Sequence, residues 1–334
     1  MARLVVTVPL LAGLPTALAW GELGHYTVGY IAQNFVASST ASWAKDILAS
    51  GSSNTSYLAS VATWADSYRY TSAGSFSAPF HYIDAEDKPP SSCSVDYDRD
   101  CGEAGCSISA IANYTTRVQD GRRSVSDRQA SLKFLVHIIG DLHQPLHDEA
   151  LEVGGNDIDV KFGSESTNLH HIWDTEIPEK LVGGYALSDA QSWASTLTTA
   201  IKSGQYKSQA ASWVSGIDLS DPVTTTLKWA SEANADVCTV VLPQGQSYYV
   251  NKDLSTTYYN GAIDTVELQI ARAGYRLAKW LDLIAANDSK RKRSIEEGTT
   301  PEPLLDVQEP PKPARLSRAK MARMARGYNC NHKH

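Results

Sequence analysis

The sequence predicts a mainly α-helical fold with one short β-hairpin. Apolar residues recur at helical spacing, with capping residues at the segment ends, over most of the chain, and one stretch alternates as strands do. Of the 334 residues, 42% are hydrophobic, which is enough for one sizeable core or two modest ones. The predicted helices span residues 23–36, 39–49, 55–68, 107–119, 126–143, 168–180, 189–203, 205–216, 221–238 and 255–286.

The first 19 residues have the pattern of a secretory signal. Arg3 supplies the positive start, residues 4–14 the apolar core, and residues 17–19 the small-residue cleavage pattern. This apolar run is too short to span a membrane, and no later segment is long enough. We therefore expect an extracellular protein that begins at Trp20 and has no membrane segment.

Cysteines and glycosylation sequons agree with export. Five cysteines in an exported chain indicate disulfides, and we expect a local pair and a long-range pair, with Cys330 left over. Three Asn-x-Ser/Thr sequons are candidate glycosylation sites. The expected disulfides are Cys101–Cys106 and Cys93–Cys238, and the sequons begin at Asn54, Asn113 and Asn287.

Two local patterns fix element boundaries. Asp221 followed by Pro222 is typical of a helix start, with an N-cap and a proline in the first turn. Residues 151–162 alternate around Gly-Gly-Asn-Asp at 154–157, which predicts the β-hairpin.

Charge separates the chain into a body and a tail. The formal charge is −7, but residues 290–334 hold 11 Lys and Arg against 5 Asp and Glu, which leaves −13 on residues 1–289. So acidic a body argues against broad binding of a phosphate backbone by basic patches. We expect a folded body over 20–289 and a disordered or processed tail over 290–334. Its Lys-Arg-Lys-Arg run is read as a solvated linker, with anion binding or processing as alternatives.

The segment from His137 to His147 has the strongest chemical signal. His137 and Asp141 lie four apart on a predicted buried helix, so they share a face. Pro145 ends that helix and turns His147 to a new angle. Imidazole and carboxylate are ligands that zinc prefers. A core histidine and a capping aspartate are the alternative for either residue alone, but three histidines and an aspartate in this segment favour a metal site.

Other candidate ligands lie before this segment. Once the signal is removed, the Trp20 amine and carbonyl can chelate a metal, with His25 close behind in sequence; otherwise Trp20 is a terminal side chain packed on the surface. Asp66 and Arg69 lie three apart on one helix face. His81 follows a proline in a predicted extended segment.

One more pair of candidate ligands lies after the segment from His137 to His147. His170 and Asp174 are four apart, whereas His171 points elsewhere and is not expected to be a ligand.

This order of motifs resembles the zinc-dependent single-strand nucleases of fungi and plants, the S1-type nucleases. The resemblance runs from Trp20 to about Trp280 and implies a single-domain, mainly helical fold shared with zinc-dependent phospholipase C, holding three Zn²⁺ ions. It implies one zinc on Asp66, His81, His137 and Asp141, a second on Trp20, His25 and Asp141, and a third on His147, His170 and Asp174. His143 is expected to orient a ligand by a hydrogen bond.

The resemblance also implies the activity. The expected enzyme is a hydrolase, a monomeric secreted endonuclease that cleaves single-stranded DNA and RNA to 5′-phosphorylated products and also has 3′-nucleotidase activity on 3′-mononucleotides. Arg69 would bind the phosphate and Asp66 would orient the attacking water; a surface ion pair is the alternative for Arg69. The expected base pocket consists of Tyr82, which offers a stacking face unless it is plain core, with Asp84, Val153 and Asn156.

Two other functions share parts of this pattern. A zinc-dependent phospholipase C shares the fold and much of the ligand layout. However, the last ligand here is Asp174, whereas the phospholipases have Glu at that position. The pocket expected at Tyr82 and Asp84 also offers nothing that would bind a choline headgroup. A secreted metal- or glycan-binding protein without turnover would need closed ligand sets, whereas so few protein ligands for three metals leave positions open for water and substrate.

Overall fold

The computed structural model describes residues 20–305, which form a mainly α-helical domain with one antiparallel hairpin in that range. The predicted signal at 1–19 and Cys330 lie outside the described residues. The helices are α1 Glu22–Phe35, α2 Ser38–Leu48, α3 Trp64–Tyr68, α4 Tyr97–Asp100, α5 Ser107–Gln119, α6 Val125–Asp141, α7 Leu169–His171, α8 Ile177–Val182, α9 Leu187–Lys202, α10 Ala210–Trp213, α11 Pro222–Asp236, α12 Gln246–Tyr249 and α13 Thr257–Glu296. Short 3₁₀ turns occupy Ala59–Val61, Ser75–His81 and Pro145–Asp148, and π-helical turns Ile172–Glu176 and Val237–Val241.

The core lies between three long helices and their neighbours. Helix α13 packs against α1, and α1 in turn packs against α9; α6 packs against α5 and α13. The second half of α6 is buried throughout, including Phe134 and Ile138, because helices contact it on several sides. This central position places the last turn of α6, with its histidine and aspartate, inside the protein.

Most predicted helices are present, and three differ in extent. The segment predicted at 55–68 forms only the turn Ala59–Val61 and α3, and the one at 205–216 reduces to α10. Helix α13 continues beyond the predicted end at 286 to Glu296. Its buried Asp288 accepts hydrogen bonds from Trp43 Nε1 at 2.9 Å and from Arg128 at 3.1 Å, which ties this extra length to α2 and α6.

The structure contains the predicted β-hairpin, but the predicted position of its turn is wrong. The strands are β1 Asp159–Phe162 and β2 Glu165–Asn168, joined through Gly163 and Ser164. Residues 152–155 all have positive φ, between 47° and 79°, so they coil into turns and cannot continue a strand. The Gly-Gly pair thus belongs to a compact loop that precedes the hairpin.

Two disulfides fasten the loops that lie before α5. Cys101–Cys106 closes the short loop between α4 and α5, and Cys93–Cys238 joins the preceding segment to the π-helical turn after α11. Both pairs are those expected from the sequence. Among residues 20–305, no helix combines the length and apolar character needed to cross a membrane.

Candidate metal centre

The predicted ligands converge from separate elements on one buried region. Helix α6 contributes two residues from its last turns, and α1, α3 and α7 contribute one each. The 3₁₀ turns Ser75–His81 and Pro145–Asp148 each present a histidine, and the π-helical turn presents an aspartate. All nine predicted ligand residues are buried: Trp20, His25, Asp66, His81, His137, Asp141, His147, His170 and Asp174.

The first cluster joins α3, α6 and the turn that ends at His81. His137 Nε2 lies 2.9 Å from His81 Nδ1, 3.2 Å from Asp141 Oδ2 and 3.5 Å from Asp66 Oδ1. His81 Nδ1 lies 3.0 Å from Asp141 Oδ2 and 3.8 Å from Asp66 Oδ1. Four side chains therefore surround one small volume.

The second cluster shares α6 with the first. His25 Nε2 lies 3.1 Å from the other oxygen of Asp141, and the His25 ring stacks on His137 with a centroid distance of 3.9 Å. A Cβ at Gly140 would lie 3.1 Å from His25 Nδ1, so a glycine here admits the ring. Trp20 is fully buried, and the neighbouring Gly21 N–H donates to the Asp174 carbonyl at 2.7 Å, which holds the Trp20 segment at the site.

The third cluster consists of His147, His170 and Asp174. The two Nε2 atoms lie 3.2 Å apart, and Asp174 oxygens lie 3.7 Å from His147 Nε2 and 3.2 Å from His170 Nε2. His147 Nδ1 forms a hydrogen bond with the His81 carbonyl, and His170 Nδ1 forms one with the Gly154 carbonyl, each at 2.6 Å. A carbonyl only accepts, so both Nδ1 atoms donate, and in the neutral ring each Nε2 presents a lone pair.

This arrangement fits a metal cation. The two imidazole lone pairs and the Asp174 carboxylate converge on one small volume, and two imidazolium groups with Nε2 atoms 3.2 Å apart would repel each other. Ligand atoms of a tetrahedral zinc lie roughly 3.3–3.6 Å from each other, as follows from bonds of about 2.0–2.2 Å. The separations in the third cluster, 3.2–3.7 Å, match this spacing. His137 follows the same rule, since its Nδ1 bonds the Ala62 carbonyl at 2.6 Å and leaves Nε2 for the first cluster.

Electrostatics also favour a cation. Burial and then the Arg69 guanidinium lower the pKa of His81 to about 4, which keeps this ring neutral. Burial opposes ionisation of Asp174, but His170 and His147 hold its pKa well below the usual range. Burial also lowers the pKa of His137, yet the Asp141 and Asp66 carboxylates outweigh burial and raise it to about 9. The clustered carboxylates thus favour positive charge, which a metal cation would supply.

Arg69 lies at the edge of the first cluster. Its Nη2 lies 3.6 Å from Asp66 Oδ1, and only 4% of the residue is exposed. A buried guanidinium that contacts a carboxylate of a candidate metal cluster has the charge and the N–H donors to bind a phosphate oxygen. The alternative of a surface ion pair does not describe this buried contact.

The predicted base-pocket residues lie in two segments whose backbones hydrogen-bond to, or neighbour residues that bond to, histidines of the third cluster. Tyr82 and Asp84, both buried, follow His81, and the Ile83 N–H between them donates to the His147 carbonyl at 2.9 Å. In the second segment, Val153 precedes Gly154, whose carbonyl bonds to His170, and the Asn156 side chain donates to the Val153 carbonyl at 2.7 Å. Val153 has φ +61°, a strained conformation for a β-branched residue and one that recurs at functional sites.

Two local expectations are wrong. His81 does not lie in an extended segment, since it ends the 3₁₀ turn Ser75–His81 and the extended backbone begins at Tyr82. His143 does not orient a ligand, because its Nδ1 donates to the Ile139 carbonyl and its Nε2 accepts from Arg276, at 2.7 and 3.0 Å. His171 lies 3.5 Å from Glu176, away from the cluster, as expected.

Sequence reasoning missed Gln144. Its side-chain Oε1 accepts a hydrogen bond from the Leu146 N–H and so caps the turn that carries His147. Its side-chain Nε2 donates to Asp174 Oδ1 at 2.6 Å. It therefore orients a ligand from another part of the chain. The available signal was its place before Pro145, where a side-chain acceptor caps a helical turn.

Comparisons of the sequence with known proteins show a family match and several relatives. The sequence profile of the family described as S1/P1 Nuclease matches residues 20–286. Nuclease P1 of Penicillium citrinum is 58% identical over 269 residues, which cover 80% of this chain and 99% of that protein. Nuclease S1 of Aspergillus oryzae is 57% identical over 290 residues, which cover 86% of this chain and 100% of that protein. Endonuclease 2 of Arabidopsis thaliana is 30% identical over 305 residues, which cover 85% of this chain and 97% of that protein.

Proposed function

The chain belongs to the S1/P1 nuclease family, and we propose that it is a secreted zinc endonuclease that hydrolyses single-stranded DNA and RNA to 5′-phosphorylated products. We include 3′-nucleotidase activity and a monomeric state in this proposal. The observation that carries the metal-dependent mechanism is the third cluster, where two imidazole lone pairs and a carboxylate converge at 3.2–3.7 Å.

We propose that three Zn²⁺ ions are held by the buried ligands. When bound, zinc polarises phosphate oxygens and lowers the pKa of water from near 16 to about 7, which makes water a nucleophile at neutral pH. The first site would use Asp66, His81, His137 and Asp141; the second the Trp20 amine and carbonyl with His25 and Asp141; the third His147, His170 and Asp174. The match of the family from residue 20 onwards supports Trp20 as the mature terminus.

The remaining roles belong to side chains around these ligands. Arg69 binds a non-bridging phosphate oxygen and stabilises the charge that builds up in the transition state. Asp66, next to Arg69, orients the attacking water through a carboxylate oxygen. Tyr82 stacks on the base and Asp84 accepts a hydrogen bond from a base amino group, while Val153 and Asn156 form the opposite wall. A base has to leave its stack to enter this pocket, which favours single strands over duplexes.

Secretion and processing form part of the same proposal. The two disulfides support an oxidising compartment. The expected glycosylation sites differ in their surroundings: Asn113 lies in α5, and the Asn287 side chain donates to Gln119 at 2.7 Å, whereas Asn54 lies in a loop. The boundary between body and tail at 289/290 stays a prediction, although α13 runs through it.

The first test uses the secreted protein with its native Trp20 terminus. We expect it to release 5′-phosphorylated nucleotides from single-stranded DNA and RNA, to lose this activity on chelation and to regain it with zinc. Phosphatidylcholine is assayed in parallel under the same conditions. Cleavage of the lipid alone would support the phospholipase reading, and zinc binding without turnover of any substrate would support a binding protein.

Replacing Arg69 tests the phosphate role. We expect Arg69→Met to lower kcat/KM by about 10²–10³-fold, the usual loss on removing one transition-state donor. The zinc content should not change, because Arg69 is not a ligand. Arg69→Lys should recover part of the rate, since a point charge replaces a bidentate fork. Full activity of Arg69→Met would contradict the assignment.

A further inference from the structure

Several aromatic side chains are exposed among the described residues, and one of them contacts the candidate site. These are Tyr70, Phe76, Tyr185 and Tyr248, with 48%, 46%, 65% and 45% of the residue exposed. Tyr70 differs in that its ring and its hydroxyl both contact Arg69. An exposed ring next to a phosphate-binding side chain is the combination that single-strand binding proteins use, with cations for the backbone and aromatic faces for the bases.

A continuous contact leads from the first cluster to the surface. Asp66 Oδ1 lies 3.6 Å from Arg69 Nη2, and the same Nη2 donates to the Tyr70 hydroxyl at 3.2 Å. The guanidinium carbon lies 5.1 Å from the centroid of the Tyr70 ring. Arg69 is buried and Tyr70 is about half exposed, so the phosphate-binding group lies between the metal ligands and an accessible ring.

The backbone that carries this ring is held in a tight turn. The Thr71 N–H donates to the Tyr68 carbonyl at 2.9 Å, and the Gly74 N–H donates to Thr71 Oγ1 at 3.0 Å. The Tyr68 hydroxyl donates to the Ala73 carbonyl at 3.3 Å. A Cβ at Gly74 would lie 2.1 Å from the Tyr68 carbonyl oxygen, so only glycine permits this closure. A ring on such a turn needs little ordering when a base stacks on it.

We propose that Tyr70 is a second stacking subsite, for the nucleoside attached to the far side of the phosphate that Arg69 binds. This inference rests on the proposed function. There, the nucleoside that supplies the departing 3′ oxygen occupies the pocket of Tyr82 and Asp84, beside the third cluster. The nucleic-acid strand then continues past the phosphate bound by Arg69 and reaches Tyr70, where the next base stacks on the exposed face of the tyrosine ring.

The subsite predicts a dependence on substrate length. A dinucleoside monophosphate has a nucleoside on each side of its phosphate, so it can use both the Tyr82 pocket and Tyr70. A 3′-mononucleotide has nothing beyond its phosphate and can use the pocket alone. Loss of the Tyr70 ring should therefore weaken binding of the first substrate and leave the second unaffected.

The test compares Tyr70→Ala and Tyr70→Phe on these two substrates. We expect Tyr70→Ala to raise the KM for the dinucleoside monophosphate by about 5- to 150-fold, the range for loss of one base stack. The KM for the 3′-mononucleotide should stay at the wild-type value. Tyr70→Phe keeps the ring and should keep the wild-type KM for both. Tyr185→Ala, which removes an exposed ring from the loop before α9, is the matched control and should change neither KM.

Each other outcome is informative. An equal loss on both substrates for Tyr70→Ala would mean that the ring acts by positioning Arg69 and would overturn the subsite. Unchanged kinetics on both substrates would overturn it as well. A wild-type enzyme that cleaves neither substrate would instead contradict the proposed function, so the two failures can be told apart.

Discussion

Replacing Asp141 by asparagine is expected to lower kcat/KM for single-stranded DNA by about 10³-fold or more, since loss of even one electrostatic group at a transition state costs roughly 10²–10³-fold. One Asp141 oxygen lies 3.0 Å from His81 and 3.2 Å from His137, and the other lies 3.1 Å from His25. Asparagine has nearly the same shape but no charge, and its nitrogen cannot act as a ligand in place of oxygen. The first and second metals should both be weakened.

The metal content separates this explanation from misfolding. Elemental analysis should show that the Asp141→Asn protein keeps the metal of the third cluster, because His147, His170 and Asp174 do not contact Asp141 in the proposed ligand set. Asp98→Asn, an identical substitution at an exposed position in α4, should keep full zinc and full activity. An Asp141→Asn protein with wild-type zinc content and rate would disprove the shared carboxylate.

Ligand pairs within one helix could be predicted from the sequence, because helical spacing decides which side chains share a face. His137 with Asp141 and His170 with Asp174 are such pairs, and their atoms meet at 3.2 Å in both cases. The Asp221 N-cap was likewise predictable, and its side chain accepts from the Thr224 N–H. In these cases the causal contact lies within one helical turn.

Contacts between distant segments could not be predicted in this way. Gln144 reaches Asp174, and the His137 ring is oriented by the Ala62 carbonyl, neither of which follows from spacing. His143 was misassigned for the same reason, since its partner Arg276 lies on α13. The position of the hairpin failed for a local reason: Val153 has a left-handed conformation that a β-branched side chain does not signal.

One extra glycine ahead of Trp20 is expected to slow phosphodiester cleavage by about 10²-fold, a loss of the size seen when one charge-stabilising group is removed. The extra residue turns the terminal amine into an amide, whose nitrogen has no available lone pair, and so removes the proposed chelate. The space around the Trp20 backbone also has little room for an added residue. Trp20 is fully buried, and Gly21 is fixed by its 2.7 Å bond to the Asp174 carbonyl.

A removable extension distinguishes chelation from bulk. If the extension ends in a site for a protease that cleaves directly before Trp20, the uncut protein should lack the second zinc while its circular dichroism matches that of the mature form. Cleavage followed by zinc addition should restore the full rate, because His25 and Asp141 are in place in both forms. An uncut protein as active as the mature one would mean that the Trp20 amine is not a ligand, and the second site would then rest on His25, His137 and Asp141, which lie within reach of one ion.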